Sequence, residues 1–85
     1  MGLVNRVVPE DELDAVVSDW TKTLLAGPPL ALSMSKTLLN KSFETSLDQA
    51  LEAEAQAQSV NLASDDAREA RSAFVEKRPP QFTGR

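Results

Sequence analysis

The chain contains no cysteine, no histidine and no tyrosine. Without thiols, neither a disulfide framework nor a thiolate metal site is possible. Without imidazole, the commonest general base and the commonest metal ligand are both missing, so no metal site is expected. Aromatic rings are scarce too: three Phe and one Trp in 85 residues. Any core must therefore be built from Leu, Val and Ala, and a chain this short makes one small domain that is marginal when folding alone. Basic residues are in deficit, nine against thirteen acidic ones, for a net charge of −4. That argues against a nucleic-acid partner, because phosphate contacts need a basic surface. No apolar run approaches the length of a membrane span and no signal-peptide pattern opens the chain, so the expectation is a soluble, cytoplasmic protein with no membrane partner.

What is present reads as helices. Gly2 to Val8, with Leu3, Val4, Val7 and Val8 between Gly2 and Pro9, is the exception and reads as a short strand. Pro9-Glu-Asp-Glu-Leu13 is a helix start, with proline early and acids in the first turn. Leu13, Val16, Val17, Trp20 and Leu24 then fall on one helical stripe, and Gly27-Pro28-Pro29 ends it. Trp20 could stack on a ligand, but its place among aliphatic residues favours a core role. Pro29 to about Lys41 is a second helix with Leu30, Ala31, Met34, Leu38 and Leu39 as its apolar arc, and Phe43 is expected to pack at the following corner. Lys36 could meet an anionic ligand; a solvated or ion-paired lysine is the commoner case.

Ser46-Leu-Asp-Gln49 has capping-box spacing and predicts a long helix to about Ala63. Its inward side is expected to carry Ala50, Ala53 and Ala57 with Leu47, Leu51, Val60 and Leu62. Glu54, Gln58 and Asn61 interrupt that arc and must be hydrogen-bonded, exposed or turned toward another subunit. Ser64-Asp65-Asp66 opens a last helix, with Lys77 and Arg78 at its other end and Pro79 as the stop. Ala67, Ala70, Phe74 and Lys77 share one face of it at helical spacing, a face that docks closely on something. Glu76 is expected in solvent, and Pro79, Pro80, Phe82 and Gly84 form an extended exit, mobile beyond Phe82.

This tail, Ser64-x-Asp66 followed by Ala73-Phe-x-Glu-Lys-Arg-x-Pro-x-Phe82, resembles the C-terminal signature of the enoyl-CoA hydratase/isomerase (crotonase) family. Gly2-Leu-Val-Asn-Arg-Val-Val-Pro9 resembles the strand that closes that family's catalytic core, and Pro28-Pro-Leu-Ala-Leu-Ser-Met-Ser-Lys36 the start of a later helix. The three segments stand in register over essentially the whole chain, matching roughly the last third of a full-length enzyme. Met1 directly before Gly2 would begin the chain inside that strand, so a truncated chain is expected.

The resemblance implies a fragment of a larger α/β crotonase fold. Residues 1–8 would be the remnant strand of the core and 9–85 a C-terminal helical assembly domain of the trimerisation type. In such enzymes two backbone N–H groups stabilise a thioester enolate and one or two carboxylates handle protons. No segment here matches those parts, so no catalytic residue is carried over, and no cofactor is implied: coenzyme A belongs to the substrate. The positions matching the family's CoA-binding contacts are Phe74, near the adenine, and Lys77, meeting a phosphate from a neighbouring subunit. Read without the family, Phe74 is a core anchor and Lys77 a helix-dipole partner, and in a chain lacking the rest of the pocket that role is favoured. The sequence departs from the family at Gln58, commonly aromatic, and at Ala70, usually Gly, where an added methyl would separate two helices.

The expected fold is all-α with about four helices and the short N-terminal strand. The first two helices would form an antiparallel hairpin and the last two an assembly arm. The expected function is that of an assembly domain acting with acyl-CoA only when a complete core is present, and forming a homo-oligomer through exposed apolar faces. Two alternatives remain. One is an acidic acyl-carrier protein with phosphopantetheine on Ser46, although Thr45 stands where that class has Asp. The other is a free-standing, self-associating helical module.

Overall fold

The computed structural model describes residues 2–85. Helix α1 spans Leu13–Leu25 after a 3-10 turn at Glu10–Glu12, α2 spans Pro29–Lys41, α3 Leu47–Ala63 and α4 Asp65–Glu76. The expected strand at residues 2–8 does not form, and the described residues contain no strand. A strand needs a second strand to pair its backbone groups, and the chain offers none. Leu3 and Val7 are left more than four-fifths exposed.

Each helix begins and ends where local chemistry dictates. The Glu12 N–H donates to the Pro9 carbonyl (3.0 Å), and α1 ends with the Gly27 N–H on the Leu24 carbonyl (3.1 Å). Gly27 is needed for closeness rather than for its backbone angle, since an added Cβ would stand 3.0 Å from Leu32 Cδ1. Ser46 closes its capping box: its N–H donates to Gln49 Oε1 (3.1 Å) and its hydroxyl accepts from the Gln49 N–H (3.3 Å). Ser64 ends α3 and starts α4 at once. Its hydroxyl donates to the Asn61 carbonyl (2.6 Å) and accepts from the Ala67 N–H (3.0 Å). A helix terminus leaves four backbone groups without partners, and these bonds satisfy part of that deficit at both ends of the α3–α4 joint.

The packing order differs from the expected hairpin. Helix α2 packs on α3 and α3 on α4, whereas the main packing of α1 is with the 3-10 turn that leads into it. The half-buried residues of α2 (Leu30, Ala31, Met34, Leu38) go against a seam of small residues on α3 (Ala50, Ala53, Ala57). The α2 arc is thus used by α3 and is not available to α1. The leucines expected inside α3 point elsewhere: Leu47, Leu51, Val60 and Leu62 are each at least half exposed. A stripe of alanines lets two backbones approach, and the larger residues are displaced to the outside. Glu54 and Gln58 are exposed and Asn61 half-buried at the edge of the α2–α3 cleft, which Met34, Ser35 and Leu38 line from the other side.

Two further expectations of burial are not met. Trp20 is 45 % exposed and Phe43 is 99 % exposed. The stripe on α1 forms as its periodicity predicts, but nothing else in the chain covers it. The whole is open: its radius of gyration is 16.2 Å, where a compact chain of this length has about 12 Å. Its accessible surface is 7322 Å², against about 4,900 Å² for a compact monomer of this mass.

Candidate functional site

The salt bridges and long-range side-chain hydrogen bonds of the described residues gather around α4. Its docked face is Asp66, Ala70 and Ala73, with Asp66 and Ala73 buried and Ala67, Glu69 and Ala70 half-buried. This corrects the expected face of Ala67, Ala70, Phe74 and Lys77. The face is rotated by about one residue, Ala73 takes the inner place, and Phe74 stands 85 % exposed. Phe74 is therefore no core anchor in this chain.

The exit segment folds back instead of trailing off. The Thr83 N–H donates to Asp66 Oδ1 (2.7 Å) and the Gly84 N–H to Asp66 Oδ2 (2.8 Å), with the Thr83 hydroxyl also on Oδ1 (3.3 Å). The Asp66 N–H returns a bond to the Arg85 carbonyl (3.0 Å). Gly84 adopts a left-handed φ of 78°, and an added Cβ there would lie 3.5 Å from the ring of Pro29. The tail thus runs from the end of α4 past its start to the beginning of α2. An acid in the first turn also suits the positive end of the helix dipole. The sequence suggested only that dipole role for Asp66, because the partners lie 17 and 18 residues away.

A second clasp closes the other end of α4. The Arg78 guanidinium makes a forked pair with Glu69, Nη1 to Oε1 at 2.5 Å and Nη2 to Oε2 at 3.0 Å, and its Nε reaches Glu76 Oε2 at 2.6 Å. The Gln81 N–H also donates to Glu69 Oε1 (2.9 Å). The Arg78 fork, first, and the Gln81 N–H, second, hold the Glu69 carboxyl down at about 2. The same carboxylates, Glu69 foremost, push the Arg78 guanidinium further up. Glu76, expected in free solvent, is exposed but paired.

Between the two clasps the helix turns at Lys77, which has φ 55° and ψ 40°. The Arg78 N–H donates to the Ala73 carbonyl (3.0 Å) and the Lys77 N–H to the Phe74 carbonyl (3.3 Å). These two bonds make the left-handed helix ending that glycine usually occupies. A residue with a Cβ costs about 1–2 kcal/mol in that conformation. Helix α4 therefore ends at Glu76, before the Pro79 stop takes effect, and Phe74 and Lys77 lie one turn apart at its exposed end. Among the described residues no group of three or more acids is placed to hold a metal ion.

The family model for Enoyl-CoA hydratase/isomerase matches residues 1–85. The chain belongs to this family. It is 39 % identical over 84 residues to a probable enoyl-CoA hydratase, echA8, of Mycobacterium tuberculosis, covering 99 % of this chain and 33 % of that one. It is 37 % identical over 82 residues to the crotonyl-CoA hydratase of Syntrophomonas wolfei, covering 96 % of this chain and 32 % of the relative. The crystal structure of an enoyl-CoA hydratase from Bacillus anthracis superposes with a TM-score of 0.93 at 28 % identity, over 99 % of this chain and 33 % of that one. An enoyl-CoA hydratase structure from Geobacillus kaustophilus gives a TM-score of 0.89 at 34 % identity, over 99 % and 33 %. The chain thus spans about a third of the length of the relatives it matches. The four-helix arrangement is that of the corresponding third of an enoyl-CoA hydratase/isomerase.

Proposed function

We propose that residues 9–85 are the helical assembly region of an enoyl-CoA hydratase/isomerase-like protein acting on acyl-CoA thioesters, with residues 1–8 the remnant of a core strand. On this reading the 85-residue chain does not catalyse alone. The observation that carries it is the uncovered surface. The excess over a compact monomer is about 2,400 Å², whereas a standard interface takes only about 800 Å² from each partner. Much of it is apolar, from Leu13, Val17 and Leu24 on α1 to Leu47 and Leu51 on α3. A homo-oligomer through these faces follows from such patches, and a cytoplasmic location suits a cysteine-free, acidic chain. Phe74 and Lys77 then serve as contacts for the adenine and a phosphate of coenzyme A bound by a neighbouring, complete core.

The test is hydration of crotonyl-CoA by the purified chain beside a full-length homologue, together with light scattering. No turnover and a mass of two or more copies are expected; turnover, or a monomer at high concentration, would overturn the reading. The carrier alternative has no observation in its favour at Ser46, whose place is explained by its capping of α3. A mass increment on Ser46 after treatment with a carrier transferase would revive it. The self-associating module is compatible with the assembly reading and shares its light-scattering test.

A further inference from the structure

We infer that Arg78 is the positioning residue for Lys77, its fork to Glu69 and its bond to Glu76 holding the left-handed turn at Lys77. The inference rests on the proposed role of Lys77 as a phosphate contact and adds how that contact is built. Lys77 and Arg78 are adjacent cations, but they are not equivalent. Every nitrogen of the Arg78 guanidinium already donates to a carboxylate: Nε to Glu76, Nη1 and Nη2 to Glu69. Its main-chain N–H closes the turn on Ala73. With a further bond from Nη1 to the Pro79 carbonyl (3.3 Å), four of the guanidinium's five N–H donors are committed, whereas a lysine ammonium meets phosphate as a point charge.

The side chain of Arg78 bridges backwards across nine residues to Glu69 and two to Glu76. It thereby ties the residue after the turn to the helix before it, with Lys77 between. The Gln81 N–H on Glu69 fastens the segment beyond. A lysine in a conformation suited to glycine persists where its surroundings fix it, and this fork is the fixing element. It has an electrostatic side as well. Arg78 offsets two carboxylates next to Lys77, and without it they would oppose an anion at the same place.

The test uses backbone NMR of Lys77 in the 85-residue chain, with adenosine 3′,5′-bisphosphate titrated into the labelled chain mixed with a full-length homologue that supplies the core. In the unsubstituted chain the Lys77 carbon shifts and HN–Hα coupling report a left-handed residue, and the probe perturbs Phe74 and Lys77. Arg78→Met is expected to abolish the left-handed signature while the α4 helical shifts up to Ala73 persist. Arg78→Lys, which keeps the charge but not the fork, is expected to lose it too. Arg78→Met with Lys77→Gly restores the turn without restoring probe binding. Probe affinity falls about tenfold in Arg78→Met, and the part due to unbalanced carboxylates shrinks in high salt. A left-handed Lys77 surviving in both Arg78 variants would overturn the inference. If the probe leaves Phe74 and Lys77 of the unsubstituted chain unperturbed even in the mixture with the complete homologue, the phosphate reading of Lys77 fails instead, and the turn signature still decides the role of Arg78. Should Arg78→Met unfold α4, Glu69→Gln removes the fork from its other end and is read in the same way.

Discussion

Helices α1 and α4 differ by one residue in length, 13 against 12, and each carries an apolar or small-residue stripe. Yet the α1 stripe of Leu13, Val17, Trp20 and Leu24 is 45–61 % exposed, while α4 buries Asp66 and Ala73 almost completely. The more hydrophobic helix is the less buried one. Amphipathic pattern decides that a helix has a face to hide; burial needs a second surface within the same chain. Helix α4 finds two, the end of α3 and its own returning tail. Helix α1 finds neither, and its stripe is the natural place for the rest of a larger fold or for another copy.

The sharpest way to break this contrast is to release the tail. Asp66→Ala removes the acceptor for two backbone N–H groups and a hydroxyl, and should destabilise the α4 region by about 3 kcal/mol. Amide exchange would show it directly, as Thr83 and Gly84 lose protection together. If they stay protected, the clasp is not what covers α4. Ser64→Ala acts on the same region more gently, and loss of the shared cap should cost about 1 kcal/mol in urea unfolding, with little effect on α1.

Acid probes the second clasp. The Glu69 carboxyl lies at about 2 in the folded chain against 4.5 when free. A carboxyl lowered by folding contributes stability that is fully present above about 4.5 and lost as pH falls toward 2. Protection of the Gln81 amide should decline through that window, and Glu69→Gln should remove the dependence. The smallest effect belongs to the other side of the comparison. Leu24→Ala on α1 should change the stability of the monomeric chain by no more than about 0.5 kcal/mol, against roughly 2–5 kcal/mol for a buried leucine. At concentrations where copies associate through α1, the loss should move into that larger range.

These contrasts mark what could be read from the residues. The capping box at Ser46, the Gly27-Pro28-Pro29 break, the serine opening α4 and the four helices themselves were legible. So was the family, from the tail signature. The candidate pair Phe74 and Lys77 was legible only through that resemblance, and the structure sets it at an exposed helix end. What periodicity got wrong was which side faces in: Phe74 and Phe43 point to solvent, and alanines rather than leucines form the seam of α3. The residues beyond Phe82 read as mobile from the sequence because Thr83 and Gly84 carry no sign of a carboxylate far upstream.

The amino-acid sequence by itself determined the helices and most of their ends, because caps, prolines and hydrogen bonds four residues apart are local interactions; the left-handed end of α4 at Lys77 is the exception. Only the tertiary structure decided which faces are covered, that α2 prefers α3 to α1, and that Asp66 and Glu69 clasp the tail. Those outcomes depend on groups 9 to 18 residues apart meeting in space, and on whether any surface exists to meet them.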